Sequence, residues 1–350
     1  MPDGGTFVVD AQVLAGLSDF AEEVDGYQAV PLERVLVAAG HLALERLQVT
    51  DSEEAPRELE WASVADHAWW LNNGRLLVGR EEFAVSHLEI EAPALLGRVQ
   101  ASITDITPTI ALALGLSAPS HATGQALEMS SASQVVLIFL DGFGYVRYTE
   151  ALRDGLIPNI SALGEPLVGL TSYPPITSVS TASLLTGAPP EVHGVDRRGI
   201  RKTDVETLFD VAIAAGLEVV AVEGESLAFQ LRNSEMQLSG DLDGNGSTDD
   251  NVLQNALAAL KADTPDIFYV HFHGIDDAGH TYGPGAPEEC AAISEEDSAV
   301  GRIIDLLPSN TLIIIFADHG MHAVQEEGEL GNHGHLIERD MFIPIFVVRK

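Results

Sequence analysis

Residues 135–142, Val-Val-Leu-Ile-Phe-Leu-Asp-Gly, decide the fold. Six consecutive apolar residues, mostly β-branched or aromatic, suit a strand buried on both faces, and the Asp-Gly that ends it suits a turn. Four further runs share this character: Val219–Glu223, Ile267–Phe272, Leu312–Ala317 and Ile343–Val348. Between them, Asp204–Ala215, Asp250–Lys261 and Glu288–Leu307 space their apolar residues as helices do. Strands alternating with helices predict an α/β fold, a doubly wound, mostly parallel sheet with helices on both faces. Pro344 suits the beginning of a strand or an edge strand.

Residues 1–95 read differently, as a smaller α+β segment of unknown role, with the catalytic domain expected over 96–350. Helical patterns cover Ala11–Val24 and Pro31–Leu47, and a polar stretch follows at Thr50–Arg57. Strands are expected at Arg75–Gly79 and Phe83–Ile90, as a hairpin turning near Arg80–Glu82. All three tryptophans, Trp61, Trp69 and Trp70, lie here and read as core or interface anchors. The polar segment Met129–Gln134 connects into the first strong strand.

The chain has 350 residues, with 18 Lys+Arg against 53 Asp+Glu, a net charge of −35. Apolar residues at 46% and charged residues at 20% make it globular and not disordered. So negative a chain is not expected to bind a nucleic-acid polymer or an anionic membrane. Cys290 is the single cysteine, so no intrachain disulfide can form. Neither a signal peptide nor an apolar run of about 18 residues is visible, which makes the cytoplasm the default expectation.

Eight of the twelve histidines lie between His193 and His335. Several follow a predicted strand closely, beside an acid. VVLIFL ends at Asp141, IFYVHF leads to Asp276, Asp277 and His280, and LIIIFA ends at Asp318-His319. Adjacent parallel strands deliver their C-terminal ends to one rim, where open α/β sheets bind ligands. Carboxylates and imidazoles together there suit zinc, manganese or iron better than calcium or magnesium.

The segment Pro174–Gly187, PPITSVSTASLLTG, carries six hydroxyl side chains. It reads as a helix start, with serines and threonines capping exposed amides or with those amides holding an anion. A hydroxyl there beside a metal becomes a nucleophile. A basic cluster follows at Arg197, Arg198, Arg201 and Lys202, either as solvated surface charge or as a grip on an anionic substrate.

Taken together, LDGFG at 140–144, TSVSTASLLTG at 177–187, PPEVHGV at 189–195, DDAGHTYGP at 276–284, ADHGM at 317–321 and GNHGHL at 331–336 resemble the alkaline phosphatase superfamily. The branch they are most similar to is the type I phosphodiesterase/nucleotide pyrophosphatase group. The resemblance spans 135–348. It implies two divalent metal ions, zinc before manganese or iron, on one rim of the sheet. By motif position one metal falls to Asp141, Asp318, His319 and the nucleophile Thr177, the other to Asp276, His280 and His333. Arg197, Arg198 and His335 are candidate substrate contacts, and His273 and Asp277 stand behind the ligands or against the substrate.

The implied activity is hydrolysis of a small phosphoric ester, a phosphodiester or pyrophosphate, through a covalent phosphothreonine. Where the branch follows its nucleophile with Phe-Pro-Asn, this chain has Ser178-Val179-Ser180, so phosphomonoester or phosphonate cleavage stands beside it. An inactive module that recognises phosphorylated ligands is the rival of another class. Residues 103–127 resemble the helix and loop that close the family's C-terminus, which implies a circular permutation. Residues 241–250, DLDGNGSTDD, are similar to a calcium loop but place Val252 where a bidentate Glu belongs; an Asx-rich turn is the plainer reading.

Overall fold

The structure, a computed structural model, describes residues 8–51, 56–242, 244, 246–326 and 328–350. It divides into two compact units, Met1–Arg98 with His335–Glu338, and Val99–Gly334 with Arg339–Lys350.

The larger unit is built on an eight-stranded sheet. Its strands are β1 (Ala101–Ser102), β2 (Gln134–Leu140), β3 (Leu167–Leu170), β4 (Val219–Gly224), β5 (Glu235–Ser239), β6 (Ile267–Phe272), β7 (Thr311–Phe316) and β8 (Phe342–Arg349), in the order β5-β4-β6-β2-β7-β8-β3-β1. Every pairing is parallel except the two that β8 makes, antiparallel to β7 and β3. The fold is therefore α/β with a mixed, mostly parallel sheet. All residues of β2, β6 and β7 are buried, as continuous apolar runs require. Each large side chain enclosed there, such as Phe139 stacked 5.0 Å from Phe316, contributes about 1.5–3 kcal/mol.

Register sets the rim. Leu140 pairs with Phe272 and Phe139 with Phe316, so β6, β2 and β7 end at one level. The residues that follow them emerge side by side. Between and after the strands run α1 (Ile106–Leu114), α2 (Tyr145–Asp154), α3 (Thr177–Thr186), α4 (Asp249–Ala262), α5 (Gly274–Tyr282) and α6 (Pro287–Leu306). Residues 103–127 belong to this unit: Thr123 and Gly124 both donate their N–H to the carbonyl of Gly187, directly after α3.

Pro344 stands near the beginning of β8, one of its two expected places; β8 lies between β7 and β3 and so is no edge strand. The proline is tolerated because at its position only β3 flanks the strand; the ladder with β7 starts at Ile345. β1, β3 and β5 went unforeseen, because each is short and only β3 is largely buried, so none shows a long apolar run.

The smaller unit is richer in strand than its sequence suggests. A five-stranded antiparallel sheet contains Glu22–Val24, Tyr27–Pro31, Ala68–Leu71, Leu76–Val78 and Glu81–Phe83. Arg57–Glu60, Arg46–Asp51 and Val85–Glu91 form a second antiparallel sheet. The expected helix Ala11–Val24 stops at Gly16, and Pro31–Leu47 shrinks to Leu32–Ala38. Gly40, at φ 90°, supplies a turn where the second pattern ran on, and Glu22–Val24, the end of the first, pairs as a strand with residues 27–29. The hairpin does turn near Arg80, between Leu76–Val78 and Glu81–Phe83, but Val85–Glu91 leaves it for the other sheet. Trp61 is fully buried, whereas Trp69 and Trp70 are half-buried. Among the described residues no helix is long and apolar enough to cross a membrane.

Candidate active site

The rim of the larger sheet collects the acids and imidazoles singled out in the sequence. Asp141 follows β2, Asp318 and His319 follow β7, and His333 follows the short strand Glu329–Asn332. Asp276 and His280 stand four apart on α5, hence on one helical face. Thr177 is the first residue of α3. Gly142 has φ 72°, and a Cβ there would come within 3.0 Å of Asp276 Oδ1. The Asp-Gly pair thus serves the approach of α5 as well as the turn.

Distances tie the group together. His319 Nε2 lies 3.2 Å from Thr177 Oγ1, 3.1 Å from Asp318 Oδ2 and 3.5 Å from Asp141 Oδ1. His280 Nε2 lies 3.4 Å from Asp276 Oδ2, and His333 Nε2 lies 3.9 Å from Asp276 Oδ1. The His319 and His333 rings stack with centroids 3.7 Å apart. One ligand atom each from Asp276, His280 and His333 falls within a 4.8 Å span, and the same holds for Asp141, Asp276 and His319.

The tautomers are set by backbone carbonyls, which only accept. Nδ1–H of His319 donates to Gly320 O at 3.0 Å, that of His280 to Gly331 O at 2.9 Å, and that of His333 to Pro175 O at 2.8 Å. In the neutral ring each Nε2 is then a bare lone pair turned inward. Asp141 Oδ1, Asp276 Oδ1 and Asp318 Oδ2 are buried without a hydrogen-bond donor. Bare nitrogens and donor-less carboxylate oxygens turned toward one another repel, unless cations lie among them. The donor set of three carboxylates, three imidazoles and a hydroxyl fits divalent metal binding, which members of the superfamily share.

The electrostatics agree. Burial, then the neighbouring Asp318 and Asp276, push the Asp141 carboxyl well above the usual carboxylate range. Burial, then His319 and Arg198, hold His333 well below the usual imidazole range, which keeps it neutral and ligand-competent.

At α3 the capping alternative fails. The residue before the helix is Ile176, and no side chain caps it. The helix start at Thr177 therefore has no side-chain cap.

Other candidates sit elsewhere. His335 is clasped within the smaller unit, Nδ1 3.2 Å from Glu33 and Nε2 2.6 Å from Asp66. Burial opposes its charge, but Asp66 and Glu33 outweigh it and raise the imidazole to about 10. Both ring nitrogens of His335 are thus engaged within the smaller unit. Arg197 pairs with Asp196 at 2.9 Å. Arg198 donates to Asn332 Oδ1 at 3.3 Å and to the carbonyl of His333 at 3.2 Å, so it braces the loop that carries His333. In the calcium-like loop Asp243 and Asn245 lie outside the described residues, and both Asp241 oxygens accept backbone N–H groups, from Gly244 and Gly246.

Two residues went unnoticed in the sequence. Glu223, last but one in β4, accepts from His271 Nδ1 at 3.1 Å, and His271 Nε2 lies 3.1 Å from Asp141 Oδ2. His273 sits alongside, 3.4 Å from Glu223 and 3.6 Å from Asp141. Burial would raise Glu223, but His271 and His273 pull it down to about 2. The available signal was an acid ending an apolar strand and a histidine inside one.

The family profile for type I phosphodiesterase / nucleotide pyrophosphatase matches residues 135–215 and 221–341. A venom phosphodiesterase of Crotalus durissus collilineatus is 25% identical over 224 residues, 55% of this chain and 26% of its own length. The catalytic subunit of GPI ethanolamine phosphate transferase 3 from Mus musculus is 29% identical over 101 residues, 29% of this chain and 9% of its own. The chain thus spans a small part of both relatives. Phosphonoacetate hydrolase of Sinorhizobium meliloti 1021 superposes with a TM-score of 0.45 at 18% identity, covering 60% of this chain and 62% of that one. The profile takes in the strand-borne acids, the Thr177 helix and the histidine loops over more than half of the sequence, and the chain belongs to the type I phosphodiesterase / nucleotide pyrophosphatase family.

Proposed function

We propose that this protein is a metal-dependent phosphoric ester hydrolase of the phosphodiesterase or nucleotide pyrophosphatase type, acting on a small phosphoester through a covalent phosphothreonine on Thr177. The observation that carries the reading is Thr177 Oγ1 at 3.2 Å from His319 Nε2, at an uncapped helix start beside donor-less carboxylate oxygens. Asp141, Asp318, His319 and Thr177 would hold one divalent ion, and Asp276, His280 and His333 the other. The nitrogen and oxygen donors favour zinc. When bound, such ions supply Lewis-acid charge against the phosphoryl oxygens and ease loss of the hydroxyl proton.

The chain's own part follows from the geometry. The first-turn amides of α3 orient a phosphoryl group over Thr177 and offset its negative charge. Thr177 Oγ attacks phosphorus in line, the bond to the leaving oxygen breaks, and water later cleaves the phosphothreonine. Nδ1–H bonds to carbonyls hold the three imidazoles in place throughout.

Thr177→Ala should lose on the order of 10³-fold or more in turnover, as removal of a nucleophile does, while Thr177→Ser keeps part of it. Bis(p-nitrophenyl) phosphate should outrun p-nitrophenyl phosphate, and mass spectrometry of quenched enzyme should find phosphate on Thr177. Unchanged turnover in Thr177→Ala would reject the nucleophile. The partial match to a GPI ethanolamine phosphate transferase favours a second reading, in which an alcohol replaces water as acceptor. Product partitioning with added ethanol or glycerol separates the two.

A further inference from the structure

A further group of donors stands beside the two already described. One ligand atom each from Asp141, His271 and His273 falls within a 4.8 Å span. Neither histidine is among the residues expected to hold the two ions.

Sheet order brings the group together. β6 lies between β4 and β2, and His271, its last residue but one, is followed two positions later by His273. Residues two apart along a strand share a face, and the two rings lie with centroids 3.9 Å apart. Glu223 reaches them from β4 and Asp141 from the end of β2. His271 places Nδ1 3.1 Å from Glu223 Oε1 and Nε2 3.1 Å from Asp141 Oδ2. His273 places Nε2 3.4 Å from Glu223 Oε2 and Nδ1 3.6 Å from Asp141 Oδ2.

Each imidazole thus turns one nitrogen to each carboxylate, yet a neutral ring has a single N–H to give. The two oxygens of Glu223 can accept one N–H from each ring, and both of these contacts are as short as or shorter than their counterparts at Asp141. Nε2 of His271 and Nδ1 of His273 are then lone pairs aimed at one acceptor, Asp141 Oδ2. Charging both rings would relieve that conflict only by enclosing two like charges in contact. One cation among the three atoms relieves it with both rings neutral, and a carboxylate behind each imidazole is the usual support of a metal-binding histidine.

The spacing suits a transition ion. With bonds of about 2.0–2.1 Å, two ligands of a tetrahedral zinc stand about 3.3 Å apart. The separations from Asp141 Oδ2, 3.1 and 3.6 Å, lie on either side of that value. Two nitrogens and one oxygen also favour zinc over magnesium or calcium. The His273 side chain is 16% exposed, which leaves the group a route to solvent.

We propose that Asp141, His271 and His273 form a third metal site, which takes a divalent transition ion such as zinc, with Glu223 positioning both imidazoles. Asp141 then bridges, with Oδ2 to this ion and Oδ1, 3.5 Å from His319 Nε2, to its neighbour. The inference rests on the two-ion reading only through that shared carboxylate.

The test is the zinc content of the full chain, measured by inductively coupled plasma mass spectrometry after equilibration at a fixed, buffered free zinc concentration. Three ions per chain are expected, and two in His273→Gln, whose amide N–H can still donate to Glu223. Circular dichroism establishes that the variant is folded. Crystals of the unaltered protein supply a measurement that needs no variant. Anomalous diffraction across the zinc edge should show a peak between Asp141 Oδ2, His271 Nε2 and His273 Nδ1. Two ions per chain with no such peak, or three retained in folded His273→Gln, would overturn the proposal and leave the two-ion reading standing. No zinc at all would overturn both.

Discussion

Acid should destabilise the larger unit through His193, and the size of the effect can be worked out from its surroundings. The ring is 4% exposed. Its Nδ1 accepts the Val195 N–H at 3.1 Å and its Nε2 faces Ser183 Oγ, on α3, at 2.9 Å. A nitrogen that accepts a backbone N–H takes up a proton only by breaking that bond. Burial accordingly lowers the imidazole from 6.5 to about 4, against a weaker pull from Asp196. Because the folded value lies below the unfolded one, the unfolded chain binds the proton first as pH falls. The neutral ring's stabilisation is complete above about pH 6.5 and is lost progressively on acidification, fully so below about pH 4. The gap corresponds to about 3 kcal/mol in all, of which about 2 kcal/mol is gone at about pH 5.

The perturbation is His193→Asn, whose amide oxygen can still accept from Val195 but does not titrate. The assay is urea unfolding of both proteins at about pH 7, 6 and 5. Far-ultraviolet circular dichroism is the probe, because all three tryptophans lie in the smaller unit and fluorescence would report that unit instead. At neutral pH the variant should be less stable by about 1 kcal/mol for the lost Ser183 bond. On going to about pH 5 the difference should shift by about 2 kcal/mol, so that the variant becomes the more stable protein by about 1 kcal/mol. Other carboxylates titrate equally in both proteins and cancel. A deficit independent of pH would refute the reasoning.

Three further outcomes are expected. Arg147 is buried against Glu289, Nη2 to Oε2 at 2.6 Å with side-chain exposures of 7% and 2%, and its other carboxylate, Glu150, lies farther off at 3.4 Å, so Glu289→Gln should cost about 3 kcal/mol, read as a lower urea midpoint. His271→Gln removes no expected ligand but frees Asp141 from the brace to Glu223, so zinc affinity measured by competition with a chromophoric chelator should fall about 10–100-fold. Zinc at about 100 times its dissociation constant should stabilise the protein by about 2.7 kcal/mol, and chelation should reverse the gain; Asp276→Asn should abolish most of the shift.

Local chemistry made much of this molecule readable before any coordinates. VVLIFL, IFYVHF and LIIIFA are apolar at every or nearly every position, and only a sheet covered on both sides satisfies such runs, so β2, β6 and β7 could be placed within a residue or so. Asp276 and His280 share a face because four residues are about one helical turn. Ala11–Val24 and Pro31–Leu47 misled for the complementary reason: their apolar spacing is helical, yet the pairing of Glu22–Val24 with residues 27–29 and the turn at Gly40 override it.

The sequence by itself determined the apolar strands β2, β6 and β7, the helix that opens at Thr177 and the acids and imidazoles that strand ends carry, since each depends on neighbours within a few residues. Tertiary structure alone decided that His335 faces Glu33, 302 residues away, and that His271 clasps Glu223, 48 residues away. Those outcomes rest on which surfaces meet after the chain has closed on itself, and burial, which shifts His193 down and Asp141 up, exists only once they have.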